Sequence, residues 1–354
     1  MKRLKSMQTT IKELAAELKL SSATVSMALR QSPLIARQTR DRINRLAAQR
    51  GYIRNNAGAA LKLRRTNLIG FLFRGAIHSF YNEVLQGAGE IAAAEGYGLL
   101  LGWVSPESDP ASQIRLMLEK NVDALIVADK LDSAETLLAP FFERHKPVVY
   151  CTGEAAANCS SVCNDDVLGG RLAVEVLARN GHRKILASTQ WEARYLGNCT
   201  AAEEAGIEVI PYAFPDEAIR MVLQDSSITA IASYADEEAI KLLHGLRSQN
   251  VRVPEDVSVI GFDDLPICEL PEFRLTTIAQ QRSRLGEEAV RLAVRQALSG
   301  RISPVEHIVL APEPVIRDTV AAPYRFQSKN EKAIMYRRWS KITRKAVEKG
   351  LLVK

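Results

Sequence analysis

The order of apolar and polar positions divides the chain into two regimes. In the first, apolar residues recur at helical spacing. Ile11, Leu14, Ala15 and Leu18 fall at i, i+3, i+4 and i+7 and predict a helix with one inward face. Thr10 before it and Glu13 three residues on make a capping-box pair, each side chain satisfying a backbone N–H the helix leaves open. The connector Lys19-Leu20-Ser21 leads to a second helix over Ser22 to Arg30, with Ser21 as N-cap. After Gln31-Ser32-Pro33-Leu34 a third helix runs from about Arg37 to Gln49 and stops at Gly51. Two short helices joined by a tight turn, with a third closing the core, predict an all-α helix-turn-helix headpiece over residues 1–53.

Residues 54–66 are polar and basic around a few small side chains. Gly58 makes an isolated helix marginal there, so the segment reads as a linker that orders only in context. From Asn67 the second regime begins. Apolar runs at Leu68–Phe73, Gly98–Val104, Ala124–Ala128, Pro147–Tyr150, Lys184–Ala187, Ala230–Ser233 and Val257–Gly261 alternate with helical stretches. Those stretches include Tyr81–Gly96, Pro110–Lys120, Gly169–Asn180, Asp236–Ser248 and Arg282–Leu298. Buried strands alternating with amphipathic helices predict α/β structure, parallel sheets with helices on both faces. The length of 67–323 favours two such lobes, with a ligand cleft where strand C-termini face each other. Residues 324–354 form a basic tail whose apolar positions are too few for a convincing coiled coil.

Charge sharpens this division. Of 354 residues, 47 are Lys or Arg and 41 Asp or Glu, a net of +6. Residues 1–66 carry 15 basic and 3 acidic residues, a net of +12, and the tail carries 10 and 2, a net of +8. The remaining 67–323 therefore hold −14. A basic head on an acidic body predicts that the head meets a polyanion, against the plainer alternative of a solubilising bias. No apolar run is long enough to span a membrane, and no apolar segment follows the basic start as in a secretory signal. Five cysteines without a CxxC read as free thiols of a cytoplasmic protein rather than as disulfides or a zinc site. The five histidines are scattered, and no HExxH, GxSxG, phosphate loop or dinucleotide fingerprint occurs, so no enzyme is indicated. Gly169-Gly170 follows Asp165-Asp166 without phosphate-loop spacing, and His182 reads as shaping the turn into the next strand.

Thr10, Ile11, Leu14, Ala15, Leu20, Ser21, Thr24, Val25 and Ser26 together resemble the headpiece of the lactose-repressor/galactose-repressor (LacI/GalR) family of transcription regulators. The resemblance continues through Arg50-Gly51-Tyr52-Ile53, Arg65-Thr66-Asn67-Leu68-Ile69-Gly70, Arg179-Asn180-Gly181-His182 and Ile260-Gly261-Phe262-Asp263-Asp264. It implies a homodimer on a near-palindromic double-stranded DNA operator. It also implies a two-lobed, periplasmic-binding-protein-like sensor for a sugar or sugar derivative, with no cofactor and no metal. Thr10, Ser21, Thr24 and Ser26 carry short hydroxyls suited to phosphate oxygens at helix N-termini. Ser22, Ala23, Met27 and Arg30 belong to the helix that enters the major groove. Ser22, Ala23 and Met27 replace the family's larger polar residues and arginine, so they imply apolar contacts and a non-standard operator, unless Met27 turns inward. Lys19 stands where the family has glycine, and Ala36 where it has serine. Asn55 and Leu61 fall in the hinge, Leu61 at the place of a leucine wedged into the minor groove or of a small dimer contact.

In the sensor the resemblance points to Arg194, of an Arg-x-x-Gly motif ending at Gly197, and to Asp263, a fork donor facing an acceptor for vicinal hydroxyls. Phe80, Tyr81 and Trp191 are ring-stacking candidates or plain core residues, and Asp236 and Gln280 are further polar contacts. Arg74 favours an anionic effector if it enters the cleft, and is otherwise a surface residue. Ala235 replaces a frequent asparagine and the Ala187–Arg194 segment is short. These departures leave room for a DNA-binding regulator without small-molecule sensing; a soluble solute-binding protein is a further alternative, against which the missing secretory signal and the complete head argue.

Overall fold

The computed structural model describes residues 9–52, 65–74, 79–104, 109–128, 131, 133–153, 156, 158–299 and 304–323. The chain divides into two units, one ending at Thr66 and one beginning at Asn67. The readings placed on Asn55, Leu61 and the tail 324–354 fall outside the described residues, as does the side chain of Arg74.

The first unit has three helices, α1 (Ile11–Leu18), α2 (Ser22–Leu29) and α3 (Arg37–Gln49). The capping box is formed in both directions: Glu13 N donates to Thr10 Oγ1 at 3.3 Å and Thr10 N to Glu13 Oε2 at 2.7 Å. Lys19 ends α1 in the left-handed region at φ 57, a conformation that a side chain makes costly. Leu14, Ala15, Leu18, Val25, Ala28, Ile43 and Ala47 form the buried core. Arg40 ties down the loop before α3 by donating to the carbonyls of Ser32 and Ile35, each at 3.0 Å. Ala36 gives α3 no side-chain cap.

The second unit has two six-stranded sheets. Its chain runs β1 (Leu68–Arg74), α4 (Ser79–Ala94), β2 (Gly98–Val104), α5 (Pro110–Glu119), β3 (Ala124–Ala128), α6 (Ala134–Phe142), β4 (Val148–Cys151) and β5 (Ser160–Asn164). It continues as α7 (Asp166–Arg179), β6 (Lys184–Ser188), α8 (Glu192–Ala205), β7 (Glu208–Tyr212), α9 (Pro215–Gln224), β8 (Ala230–Ala232), α10 (Asp236–Ser248), β9 (Ser258–Asp263) and β10 (Thr277–Ala279). It closes with α11 (Arg282–Ser299), β11 (His307–Leu310) and β12 (Glu313–Val315). The first sheet, β11-β5-β4-β3-β1-β2, is wholly parallel. The second, β12-β10-β9-β8-β6-β7, is parallel except where β12 meets β10. Central strands β3 and β9 are buried at every residue, as apolar runs covered on both faces must be.

The chain passes between the lobes three times, after β5, after β10 and after β11. These passages are bonded to one another. Asp165 N donates to Leu310 O at 2.9 Å, and Gln281 Nε2 to Ala311 O at 2.8 Å. The Asn164 amide donates to Gln280 Oε1. The joint is therefore a laced three-strand hinge and not a single flexible tether.

Strands β5, β10 and β12 carry too few successive apolar residues, and β7 and β11 only the short runs Val209–Ile210 and Ile308–Leu310, so all five escape the pattern that predicts the others. In β5 the polar residues are buried with partners: Gln296 Nε2 donates to Ser160 Oγ at 2.8 Å and Ser161 Oγ meets His307 Nδ1 at 2.8 Å. β7 and β12 are sheet edges, which need no second apolar face.

Candidate functional site

On the headpiece, α2 offers a start rich in hydroxyls. Ser21 Oγ accepts from Thr24 N at 3.0 Å and lies 2.8 Å from Thr24 Oγ1, so the cap and its neighbour share one small polar cluster. Ser21, Ser22 and Ala23 are exposed, while Thr24, Ser26 and Met27 are half-buried. Met27 is half-buried and not among the residues of the headpiece core. Arg30 folds back along α2, its guanidinium donating to Ser26 O at 3.3 Å and to Ser26 Oγ at 3.1 Å. Thr10 is exposed at the head of α1. The outward face is thus small and hydroxylated, and it lies at capped helix N-termini whose dipole favours phosphate oxygens.

In the sensor, two glycines bring α7 and α8 into backbone contact. A Cβ on Gly170 would stand 2.1 Å from Arg194 O, and one on Gly197 2.0 Å from Val167 O. This approach sets Asp166, the first residue of α7, beside Arg194 in the first turn of α8. Arg194 Nε donates to Asp166 Oδ1 at 2.8 Å, and Trp191 Nε1 donates to Asp166 Oδ2 at 3.0 Å. A second Arg194 nitrogen donates to Tyr234 O and lies 3.6 Å from Asp263 Oδ1. The guanidinium lies 3.7 Å from the centre of the Phe262 ring and 5.1 Å from that of Trp191. Gly169 makes room for that support, since a Cβ there would meet the Phe262 ring at 2.4 Å.

Asp263 closes β9 with φ 113, a strained conformation for a residue with a side chain. Its carboxylate accepts from Gln280 Nε2, and Gln280 Oε1 in turn accepts from Asn164. Arg282 donates to the Asp263 carbonyl and to Glu83 Oε1 at 2.7 Å, joining the end of β9 to α4 of the other lobe. Burial pushes the Asp263 carboxyl up to about 7, against the pull of Arg194.

Asp236 is completely buried, and both of its oxygens are used. Thr277 Oγ1 donates to one at 2.5 Å and Leu265 N to the other at 2.8 Å. Gly261 permits this, because a Cβ there would reach Asp236 Oδ1 at 2.2 Å. Burial raises this carboxyl to about 6. Asp236 therefore braces the turn that carries Asp263. Glu238 braces the neighbouring loop, its Oε2 accepting from Tyr234 N at 3.0 Å and from Tyr212 Oη at 3.0 Å.

The structure thus brings Trp191, Arg194, Asp263 and Gln280 into one bonded network, with Asp236 behind it. Phe80 and Tyr81 sit in the apolar core instead, edge-on to each other at 5.3 Å, with Tyr81 Oη 3.3 Å from Thr152 Oγ1. Sequence reasoning did not single out Asp166, Asn164, Phe262, Arg282 or the Tyr234 carbonyl. For Asp166 a signal existed in the pair of aspartates ahead of two glycines.

Residues 174–320 match the model of the periplasmic binding protein-like domain. The HTH-type transcriptional repressor PurR of Histophilus somni (strain 2336) is 27% identical over 332 residues, 88% of this chain and 98% of that protein. The ribose operon repressor of Haemophilus influenzae is 26% identical over 333 residues, again 88% and 98%. The lac repressor dimer bound to operator and the anti-inducer ONPF superposes with a TM-score of 0.77 at 21% identity, over 89% of this chain and 99% of that one. The chain resembles repressors of the LacI/GalR type over nearly its whole length. The relatives with which it aligns are named as transcriptional repressors.

Within the LacI/GalR frame, the Arg-x-x-Gly motif has a physical reason in this chain. Its arginine is placed by the backbone contact that its glycine allows. The Gly169-Gly170 pair is the other half of the same contact, and seats the Phe262 ring as well. No helix among the described residues is long and apolar enough to cross a membrane, and no cluster among them is suited to a metal ion. His182 is buried against Thr229 Oγ1 at 2.9 Å, and burial lowers its pKa to about 4, in keeping with a neutral structural ring.

Proposed function

We propose that the protein is a cytoplasmic, homodimeric repressor of a carbohydrate-related operon, releasing or gripping a near-palindromic operator as a small molecule enters the sensor cleft. The observation that carries this reading is the Arg194–Asp263 network at the laced hinge. A ligand that engages it touches β9, α8 and the lobe crossings together. The names of the relatives, the HTH-type transcriptional repressor PurR and the ribose operon repressor, support a metabolite-controlled switch. The family's dimeric architecture supports a two-fold operator. In this reading Ser22, Ala23 and Met27 meet base edges, and Thr10, Ser21, Thr24 and Ser26 meet phosphates.

The test is selection of operator duplexes from a random pool by the full-length protein, repeated with a panel of sugars. A palindrome whose affinity moves with one compound is the expected result, and Arg194→Ala and Asp263→Ala abolish that response. A second reading, a regulator without small-molecule sensing, draws on the internal pairing of Arg194 with Asp166 and Tyr234. Its mark is a palindrome whose affinity no compound alters.

A further inference from the structure

The polar groups around Arg194 are unevenly divided between donors and acceptors. Arg194 is committed to Asp166 Oδ1 at 2.8 Å and to Tyr234 O, and Asp263 Oδ1 lies 3.6 Å from it. Among the described residues, the other cation nearby, Arg282, serves the Asp263 carbonyl and Glu83. Each arginine is thus matched by at least one carboxylate, and Arg194 by two. The N-terminus of α7, where backbone N–H groups and the helix dipole favour an anion, is occupied by this chain's own acids. Asp165 accepts from Leu168 N at 2.9 Å, and Asp166 is the first helical residue. An arriving carboxylate or phosphate would have to displace Asp166 from Arg194 and then lie beside two carboxylates.

A second observation comes from Asn164, which is 7% exposed at the end of β5. Its amide donates to Gln280 Oε1, while Gln280 Nε2 donates to Asp263. With Asp263 ionised, an acceptor at that end fixes the direction of both amides. Asn164 Oδ1 is then left as a buried acceptor without a partner among the described residues. Leaving such an atom unmet is costly, and a ligand hydroxyl is the kind of group that satisfies it.

We propose that this cleft recognises its effector as a hydrogen-bond donor, an uncharged or cationic polyhydroxy molecule, and turns away carboxylated and phosphorylated sugars, with Asn164 and Asp166 setting that choice. The inference rests on the reading of the cleft as an effector site. It departs from the expectation attached to Arg74, whose side chain lies outside the described residues. Asp166 acts as an internal anion that no ligand anion needs to replace, and Asn164 supplies an acceptor that only a donor satisfies.

Calorimetric titration of the full-length protein at pH 8 tests this with five probes: D-ribose, D-ribose 5-phosphate, D-glucose, D-glucuronate and D-glucosamine. At least one of ribose, glucose and glucosamine binds, and the anionic counterpart binds at least tenfold more weakly. Asp166→Asn narrows that ratio about tenfold, a change of selectivity that loss of packing alone does not produce. Asn164→Leu weakens the uncharged probe about tenfold, measured well below the variant's thermal midpoint, which falls because Gln280 Oε1 loses its donor. Binding of ribose 5-phosphate or glucuronate as tightly as its uncharged counterpart, and lost in Arg194→Ala, overturns the inference while leaving the effector site in place. Failure of all five probes, or binding that Arg194→Ala leaves intact, removes the effector-site reading and the inference with it.

Discussion

Gly170→Ala isolates the contact on which the sensor network depends. The new methyl group would lie 2.1 Å from Arg194 O and 3.0 Å from Asn198 N, both backbone atoms that no rotamer change can move. Restoring an ordinary contact needs α7 and α8 to separate by about 1 Å, and overpacking of this kind costs about 1–3 kcal/mol. The same shift stretches the 2.8 Å bond between Asp166 and Arg194 beyond hydrogen-bonding range. A charged hydrogen bond contributes about 1.5–3 kcal/mol. Alanine returns about 1 kcal/mol of helix propensity, so a net loss of roughly 2–4 kcal/mol is expected once those terms are combined. For a unit of this size each kcal/mol moves the midpoint by about 2–4 °C. Calorimetric melting of the full-length protein checks it, with Gly89→Ala as the internal control. Gly89 lies in α4, where an added methyl group would meet nothing within 4 Å, so there the same change stabilises by about 0.5–1 kcal/mol. A Gly170→Ala midpoint equal to or above the wild-type value would refute the backbone-contact argument.

Three further outcomes follow from the same geometry. Lys19→Gly relieves the left-handed residue at φ 57 and raises headpiece stability by roughly 1 kcal/mol, read from its melting transition. Ala36→Ser supplies the missing cap of α3 and adds about 1 kcal/mol by the same measurement, whereas Ala36→Val adds nothing. Asp263 holds its proton up to about pH 7 in the folded protein, against about 3.9 in an unfolded chain. The unfolded state therefore binds fewer protons between those values, and sensor stability falls as pH rises from about 4 to 7. Arg194, Arg282, Gln280 and Asp236 face this group, and Asp236 adds a similar decline ending near pH 6. Asp263→Asn flattens the decline above pH 6 in chemical-denaturation curves, and an unchanged slope there tells against the buried acid.

What the amino-acid order makes legible is whatever repeats within a few residues. The capping box of Thr10 and Glu13, the apolar face of α1 and the fully buried β3 are local patterns whose spacing fixes their structure. The charge split between head and body is local in the same sense. The site is different, because its decisive contacts join distant positions. Asp166 and Arg194 are 28 residues apart, and Asn164 and Gln280 are 116 apart. Periodicity says nothing about such pairs, and only a family motif drew attention to Arg194 and Asp263 at all. Gly169 and Gly170, tested against phosphate loops, explained nothing until Phe262 and α8 were in place to fill the space they leave. Phe80 and Tyr81 show the converse: an aromatic pair near a cleft is indistinguishable in sequence from one packed into a core, and burial decides. Asp236 makes the same point for a polar residue. As an acid beside the loop that replaces the family's asparagine with Ala235, it reads as a ligand contact. With both oxygens taken by Thr277 and Leu265, it holds the strained turn of Asp263 in place instead.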